Sequence, residues 1–405
     1  MPPVQSCVPS ADVLRIDPRC PDSRTLAIAA DVIRRGGLVA FPTETVYGLG
    51  ANALDDAAVA RIYQAKQRDA ADPLIVHLAN ASDLPRVSDD IPLALQLLAE
   101  RFWPGPLTIV VGRHPRVPGR VSSGRSSVAV RVPAHPVASG LIAASGVPIA
   151  APSANRFMRT SATQAAHVQA DLGDAIDLIL DGGPTDIGLE STVVACDTEG
   201  MVRVLRPGAV PVEAIVAALR HAGIDQPASA DNEVKRAPNL GSPSERGAST
   251  SAGSLSPGLL ETHYAPLARL ILVSGEQEAS VSAMGRAVTD AIRAGERVGI
   301  LAYDDDLPAL AEAGALVPEL RPLTELQATV ARVGASSAPQ AVAHRLFAAL
   351  RELDAAEVTV IVARTMSPVM RIAGAAPLPG GAGLARAIDD RLIRAAGSHV
   401  ESTCA

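Results

Sequence analysis

The chain has 405 residues, 36 Lys and Arg against 43 Asp and Glu, and a formal net charge of −7. That length predicts two or three domains, and the acidic balance gives no global field for nucleic acid. Aromatics are 2% of residues, leaving few stacking platforms for single-stranded RNA, so strong direct nucleic-acid binding is not expected.

The start, MPPVQSCVPSADVLRID, lacks the layout of a signal peptide. No apolar run reaches the ~20 residues that span a bilayer. A cytoplasmic protein without a membrane partner is expected. Cys7, Cys20, Cys196 and Cys404 lie far apart and predict neither a zinc site nor a disulfide framework.

Residues 22–35 read as a helix, with Asp22 or Ser23 as N-cap, Leu26, Ala30 and Ile33 on one face and Gly36-Gly37 as the stop. Leu38 to Phe41 has the length and residue type of a buried strand, ended by Pro42, which cannot donate to a ladder. Thr43, Glu44 and Thr45 follow, then Tyr47 and the turn-forming Gly48 and Gly50. A helix over about 57–67 carries Lys66, with Arg68 just beyond it, and a strand at 74–78 contains His77. Further strand-like runs fall at 107–111, 128–132, 147–151, 176–180 and 191–195, with helical patterns at 91–102, 136–145 and 163–172. Such alternation predicts an α/β layer fold with a mixed sheet.

Residues 226–254 change to Pro, Ser, Ala, Gly and scattered charges and read as a flexible linker. After Leu267 the alternation resumes, with strands at 270–273, 298–302 and 358–363 and helices at 280–294, 341–353 and 384–396. Gly380-Gly381-Ala382-Gly383 does not follow a strand with the dinucleotide spacing, so it reads as a helix entry rather than a phosphate loop.

The chemistry-bearing residues each have two readings. Lys66 and Arg68 suit a helix C-terminus by charge alone, and His77 amid Leu-Ile-Val-His-Leu suits a core. Hydroxyls at a strand end, two cations at a helix end and a strand histidine also suit one α/β crevice. Arg131 inside VAVRV needs a carboxylate partner, from protein or ligand. Arg206 is either a solvated strand end or a phosphate clamp. Ser153 and Asn155 follow a strand, and the glycine-bearing loops 182–184 and 188–192 let backbone approach an anion closely. No nucleophile set, metal cluster or Walker signature appears, so catalysis by positioning and charge neutralisation is expected.

FPTETVYGLGANA, KQR and PLIVHL, followed by FWPGPLTIVV, VPIAAPSAN, LDGGPTDIGLEST and VLRPGAV, closely resemble the threonylcarbamoyl-adenylate synthase family. SPGLLETHYAP (256–266) and LFAALRELD (346–354) resemble the linker and second domain of its long members. The resemblance implies an N-terminal YrdC-like twisted mixed sheet with flanking helices over 1–224. A linker with a lid segment spans 225–266, and a smaller Rossmann-like α/β domain spans 267–405.

It also implies that L-threonine, bicarbonate and ATP, with Mg²⁺, give threonylcarbamoyl-adenylate and pyrophosphate for a tRNA modification completed by partner transferase proteins. Position by position, Lys66 and Arg68 serve catalysis. ATP is bound by these two with Asp72, Ser127, Asn155, Thr163, Arg206 and the lid residue Tyr264. Threonine lies among Thr43, Thr45, His77, Arg131, Ser153 and Ser191. Asp69 stands where the family usually has proline, and Asp72 where it commonly has asparagine; Asp69 is expected to face solvent. Lys66 and Arg68, taken as solvent-facing, are expected to be replaceable by alanine with loss of activity but not of folding. A carbamoyl-adenylate-forming enzyme of hydrogenase maturation would carry cysteine pairs that are missing here. A non-catalytic RNA- or ribosome-binding protein of the same fold is the alternative.

Overall fold

The computed structural model describes residues 11–224, 263–312, 328–370, 378–379 and 382–402. Its first sheet contains β1 (Asp12–Arg15), β2 (Val39–Phe41), β3 (Gly48–Asn52), β4 (Ile75–His77), β5 (Leu107–Gly112), β6 (Ser127–Arg131), β7 (Ile149–Ala150), β8 (Leu178–Asp181), β9 (Thr192–Cys196) and β10 (Val202–Arg206). Their spatial order is β1-β8-β2-β3-β7-β4-β6-β5-β9-β10. Parallel pairs such as β4 with β6 and β5 with β9 alternate with antiparallel ones such as β2 with β3. The sheet is mixed, as expected.

Strand alternation sends side chains to two cores. Val39 and Phe41 of β2 pack beneath α1 (Ser23–Arg34) and α4 (Pro136–Ser145), whose Leu26, Ile33, Leu141 and Ile142 close that face. Ala40 faces the opposite core, which is covered by α2 (Asp56–Lys66), α3 (Leu93–Phe102), α5 (Ala165–Leu172) and α6 (Val212–His221). The Asp22 carboxylate accepts the Thr25 N–H at 2.8 Å and caps α1.

Gly48 and Gly50 lie within β3 rather than in a turn. A Cβ on Gly50 would sit 2.7 Å from Phe41 Cε1 and 2.8 Å from Ile149 Cγ2. Glycine is there because the neighbouring strands' side chains fill the space above it.

The second sheet comprises β11 (Arg269–Ser274), β12 (Val298–Ala302), β13 (Ala328–Arg332), β14 (Val360–Arg364) and β17 (Val400–Ser402) in the order β13-β12-β14-β11-β17. Every pairing described in it is parallel, in keeping with the Rossmann-like expectation. β15 (Val369–Met370) and β16 (Leu378–Pro379) form a separate ribbon. α7 (Gln277–Arg293) covers one face of the five-stranded sheet, with α8 (Leu307–Glu312) beside it. α9 (Pro339–Ala355) and α10 (Gly383–Ala396) cover the other.

That second face turns toward the first domain. Val46 and Leu189 join one apolar cluster with Tyr264, Leu346, Phe347 and Leu350. Arg351 on α9 grips Asp171 through its two terminal guanidinium nitrogens at 3.1 and 2.7 Å, and Arg159 reaches Asp354 at 3.4 Å. Most of the expected linker, and SPGLLET of the lid segment, lie outside the described residues. So do Gly380 and Gly381. The Gly383 N–H faces the Glu213 carboxylate at 3.3 Å, a carboxylate at a helix entry.

Candidate active site

The loop from β2 to β3 is shaped by its own hydroxyls. Thr43 Oγ1 donates to Val46 O at 2.7 Å and accepts the Thr45 N–H at 3.1 Å, an arrangement that fixes a polar turn without helix or strand. The Thr45 hydroxyl lies 2.8 Å from that of Thr43. Parallel pairing of β4 with β6 sets His77 opposite Arg131, and Arg131 Nη1 donates to Thr45 Oγ1 at 2.9 Å. Arg131 to Thr45 to Thr43 is therefore one directed chain.

The carboxylate that Arg131 requires is Glu44, 2.6 Å from Nη2, and both side chains are buried. Burial alone raises the Glu44 carboxyl, but the Arg131 charge overcomes it and holds the group below its ordinary value. His77 is driven down to about 3, by burial first and then by Arg131, with Glu44 opposing. A histidine kept neutral in the fold takes up a proton once unfolded, so stability falls as pH drops below the ordinary value of 6.5. Between pH 7 and pH 5 this residue alone is expected to remove about 2 kcal/mol. Urea titrations of His77→Asn beside the parent check this: the variant's stability falls less over the same interval.

At the end of α2, Gln67 takes a left-handed conformation with φ 53°, which breaks the helix between the two cations. Lys66 Nζ donates to the backbone oxygens of Ser153, at 2.6 Å, and Asn155. Arg68 pairs with Asp72 at 2.7 Å, donates to Pro73 O at 2.9 Å and lies 5.5 Å from the Phe157 ring centroid. Lys66 is 1% exposed and Arg68 8%, so the expectation of solvent-facing cations is overturned. Burial, then Arg68, holds the Lys66 amine well below its usual value, and burial raises the Asp72 carboxyl against the pull of Arg68. Alanine at either cation leaves desolvated carbonyls or a carboxylate behind. Both variants are thus expected to lose stability, seen as lower denaturation midpoints, as well as activity. Asp69 is exposed, as anticipated.

Arg206, at the end of β10, is buried rather than solvated. Its Nη2 donates to Ser191 O at 2.9 Å and Ser191 Oγ at 3.2 Å. Ser191 Oγ also lies 2.7 Å from Thr108 Oγ1. Tyr264 adopts φ 64°, and its buried phenol oxygen makes no hydrogen bond within the described residues.

These pieces surround one crevice of about 510 Å³, counting space open to solvent. Thr43, Thr45, Arg68, His77, Arg131, Ser153, Ser191, Arg206 and Tyr264 line it. Lys66 and Asp72 stand one bond behind that lining, through Ser153 O and Arg68, and Asn155 two bonds behind it, through Lys66. Ser127 and Thr163 are outside it. Ser127 begins β6, and the Thr163 N–H donates to His167 Nδ1 at 3.2 Å.

Sequence reasoning passed over Glu44, Glu190 and His263, although each lies inside a quoted motif. Only that motif membership signals them. Three arginines and hydroxyl groups around one opening fit a polyanion and a small zwitterion, held by charge-assisted hydrogen bonds. Among the described residues no group of three or more His, Cys, Asp or Glu is placed to hold a metal. No described helix is long and apolar enough to cross a membrane.

Two family models match end to end: the Sua5/YciO/YrdC model, described as telomere recombination, over residues 31–208, and the threonylcarbamoyl-AMP synthase C-terminal domain over 210–397. The threonylcarbamoyl-AMP synthase of Pyrococcus abyssi is 37% identical over 93% of this chain and 95% of its own length. That of Bacillus subtilis is 38% identical over 93% and 94%. The crystal structure of P. abyssi Sua5 complexed with L-threonine superposes with a TM-score of 0.77 at 35% identity, covering 96% of this chain and 99% of the other. Relatives of full length that are themselves synthases set aside the non-catalytic RNA-binding alternative. The chain belongs to the threonylcarbamoyl-AMP synthase family, in its two-domain form.

Proposed function

We propose that the crevice binds L-threonine and ATP side by side and, with bicarbonate, forms threonylcarbamoyl-AMP and pyrophosphate. The convergence of Arg68, Arg131 and Arg206 on one opening, each already held by protein oxygens, carries this reading. The threonine amine and bicarbonate give a carbamate with loss of water. A carbamate oxygen then attacks the α-phosphorus of ATP, and the bond to the β-phosphate breaks.

On this reading, threonine lies among Thr43, Thr45, His77, Arg131, Ser153 and Ser191. The Arg131 fork meets its carboxylate in the geometry that arginine offers best. A neutral His77 accepts or donates a hydrogen bond without repelling the ammonium group. ATP lies against Arg68, Arg206 and Tyr264, with Asp72 holding Arg68 and with Lys66 and Asn155 supporting the wall from behind Ser153; Ser127 and Thr163 belong to the outer nucleotide contacts. Arg68 meets the charge that grows on the phosphate oxygens in the transition state, and Lys66 serves catalysis by holding Ser153 in the wall beside it.

The donor set fits a Mg²⁺ that arrives on the triphosphate rather than a resident metal. Glu44 and Asp72 are already paired with Arg131 and Arg68, and Glu190 with Arg391, so phosphate oxygens and water supply its ligands. Bound there, it neutralises phosphate charge. We assign residues 1–224 to catalysis, 225–266 to a linker whose Tyr264 closes on the nucleotide, and 267–405 to the second domain. The product is a mixed anhydride that partner transferase proteins pass to tRNA.

The test is pyrophosphate release by the full chain in bicarbonate buffer with Mg²⁺. Release that needs both ATP and L-threonine is expected. Release indifferent to threonine would assign another acceptor.

A further inference from the structure

Glu190 lines the crevice but contacts two domains at once. Its Oε1 accepts the Ser161 hydroxyl at 2.5 Å, and its Oε2 accepts Arg391 Nε at 2.7 Å. Arg391 lies on α10, 1% exposed. Its Nη1 donates to Asp390 Oδ2 at 2.6 Å, and its guanidinium carbon stands 5.0 Å from the Tyr264 ring centroid. Phe347 of α9 stacks on the same ring at 5.7 Å. Arg394 Nε donates to Asp390 at 3.1 Å, while the Arg394 carbonyl accepts the His263 N–H at 3.2 Å. One wall residue of the crevice and its tyrosine are thus set by the same guanidinium.

This cluster contains two cations, Arg391 and Arg394, and two carboxylates, Glu190 and Asp390. Those four balance one another, so Arg391 itself adds no charge with which to draw a phosphate; the charge that remains is that of Arg206, which feels the charges of Glu190, Asp390 and Arg391. Nor does stability explain the cluster, since an apolar pair of like volume would join two domains at least as firmly as a buried ion pair. What a guanidinium adds is direction. It is planar, its donors form a rigid fork, and its face stacks on an aromatic ring.

We propose that Arg391 is a positioning residue for the nucleotide: by holding Glu190 and stacking on Tyr264, the second domain completes the ATP half of the site. The proposal rests on the reading of the crevice as the ATP- and threonine-binding site.

Two variants with the same chemical change separate positioning from general stability. Arg391→Lys keeps a charge opposite Glu190 but loses the flat face over Tyr264. Arg364→Lys alters a buried pair of the same domain, Arg364 with Asp306 at 2.6 and 2.9 Å, which does not border the crevice. Steady-state pyrophosphate release with ATP and L-threonine varied in turn is read beside calorimetric titration of ATP and thermal denaturation. For Arg391→Lys we expect ATP to weaken about tenfold in both KM and Kd, with kcat within about threefold. Arg364→Lys is expected to melt earlier but bind ATP as the parent does. Unchanged ATP affinity in Arg391→Lys, or equal weakening in Arg364→Lys, overturns the proposal. A parent protein that binds ATP yet releases no pyrophosphate overturns the proposed reaction instead, and the calorimetric comparison still decides the role of Arg391.

Discussion

Arg131→Ala is expected to lower kcat/KM for L-threonine by about 10³-fold and to cost about 3–5 kcal/mol of stability. The two losses share a cause but separate experimentally. Arg131 is buried, with Glu44 at 2.6 Å, the Thr45 hydroxyl at 2.9 Å and Gly105 O at 3.2 Å. Its removal strands the Glu44 carboxylate away from water, the costly half of a buried pair. It also releases the Thr45–Thr43 chain that holds the β2–β3 loop. Adding Glu44→Gln to Arg131→Ala takes away the stranded charge, so the double variant is expected to regain most of the lost stability. It is not expected to regain activity, because the carboxylate clamp is still missing. Urea denaturation and pyrophosphate kinetics on the single and double variants decide this. Activity that returns along with stability would show that Arg131 serves only to neutralise Glu44.

Gly188→Ala is the second change with a large expected effect. Gly188 has φ +79°, where an L side chain is strained, and it meets α9 of the second domain. A Cβ there would lie 2.5 Å from Ala343 O, 2.7 Å from His344 Cα and 2.8 Å from His344 O. All three are backbone atoms, so no side-chain rotation relieves the clash. Either α9 retreats or the loop carrying Glu190 and Ser191 does. A shift of about 1 Å in such a loop is enough to cost about 100-fold in kcat/KM. Amide exchange at 342–347 is expected to quicken in parallel. Normal kinetics with normal exchange protection would mean that this contact does not persist in solution.

Local pattern made much of the fold legible. Helix α1 is readable from Asp22, its 3.6-residue apolar spacing and the glycines that follow, and β5 from an apolar run bounded by turns. The gaps have physical reasons. β3 reads as a turn because glycines signal turns, whereas Gly50 serves close packing under Phe41 and Ile149. The expected threonine side of the site was readable through motifs alone, and the need of Arg131 for a carboxylate through charge burial. That the partner is Glu44, and that Lys66 is roofed by the Ser153 and Asn155 carbonyls, depends on pairings across the sheet. Contacts between residues so far apart in sequence leave no periodic trace.

The cluster that unites Val46 and Leu189 with α9 and α10 also bears on how the chain is made. Synthesis is vectorial, and domains fold as they emerge. The first sheet is complete once β10 has left the ribosome, but Val46 and Leu189 then face water beside a half-built crevice. That patch stays open to chaperones, and to other nascent copies, until α10 arrives with Arg391. On the role proposed for Arg391, full affinity for ATP comes only with α10, and a chain halted after β10 leaves Val46 and Leu189 uncovered.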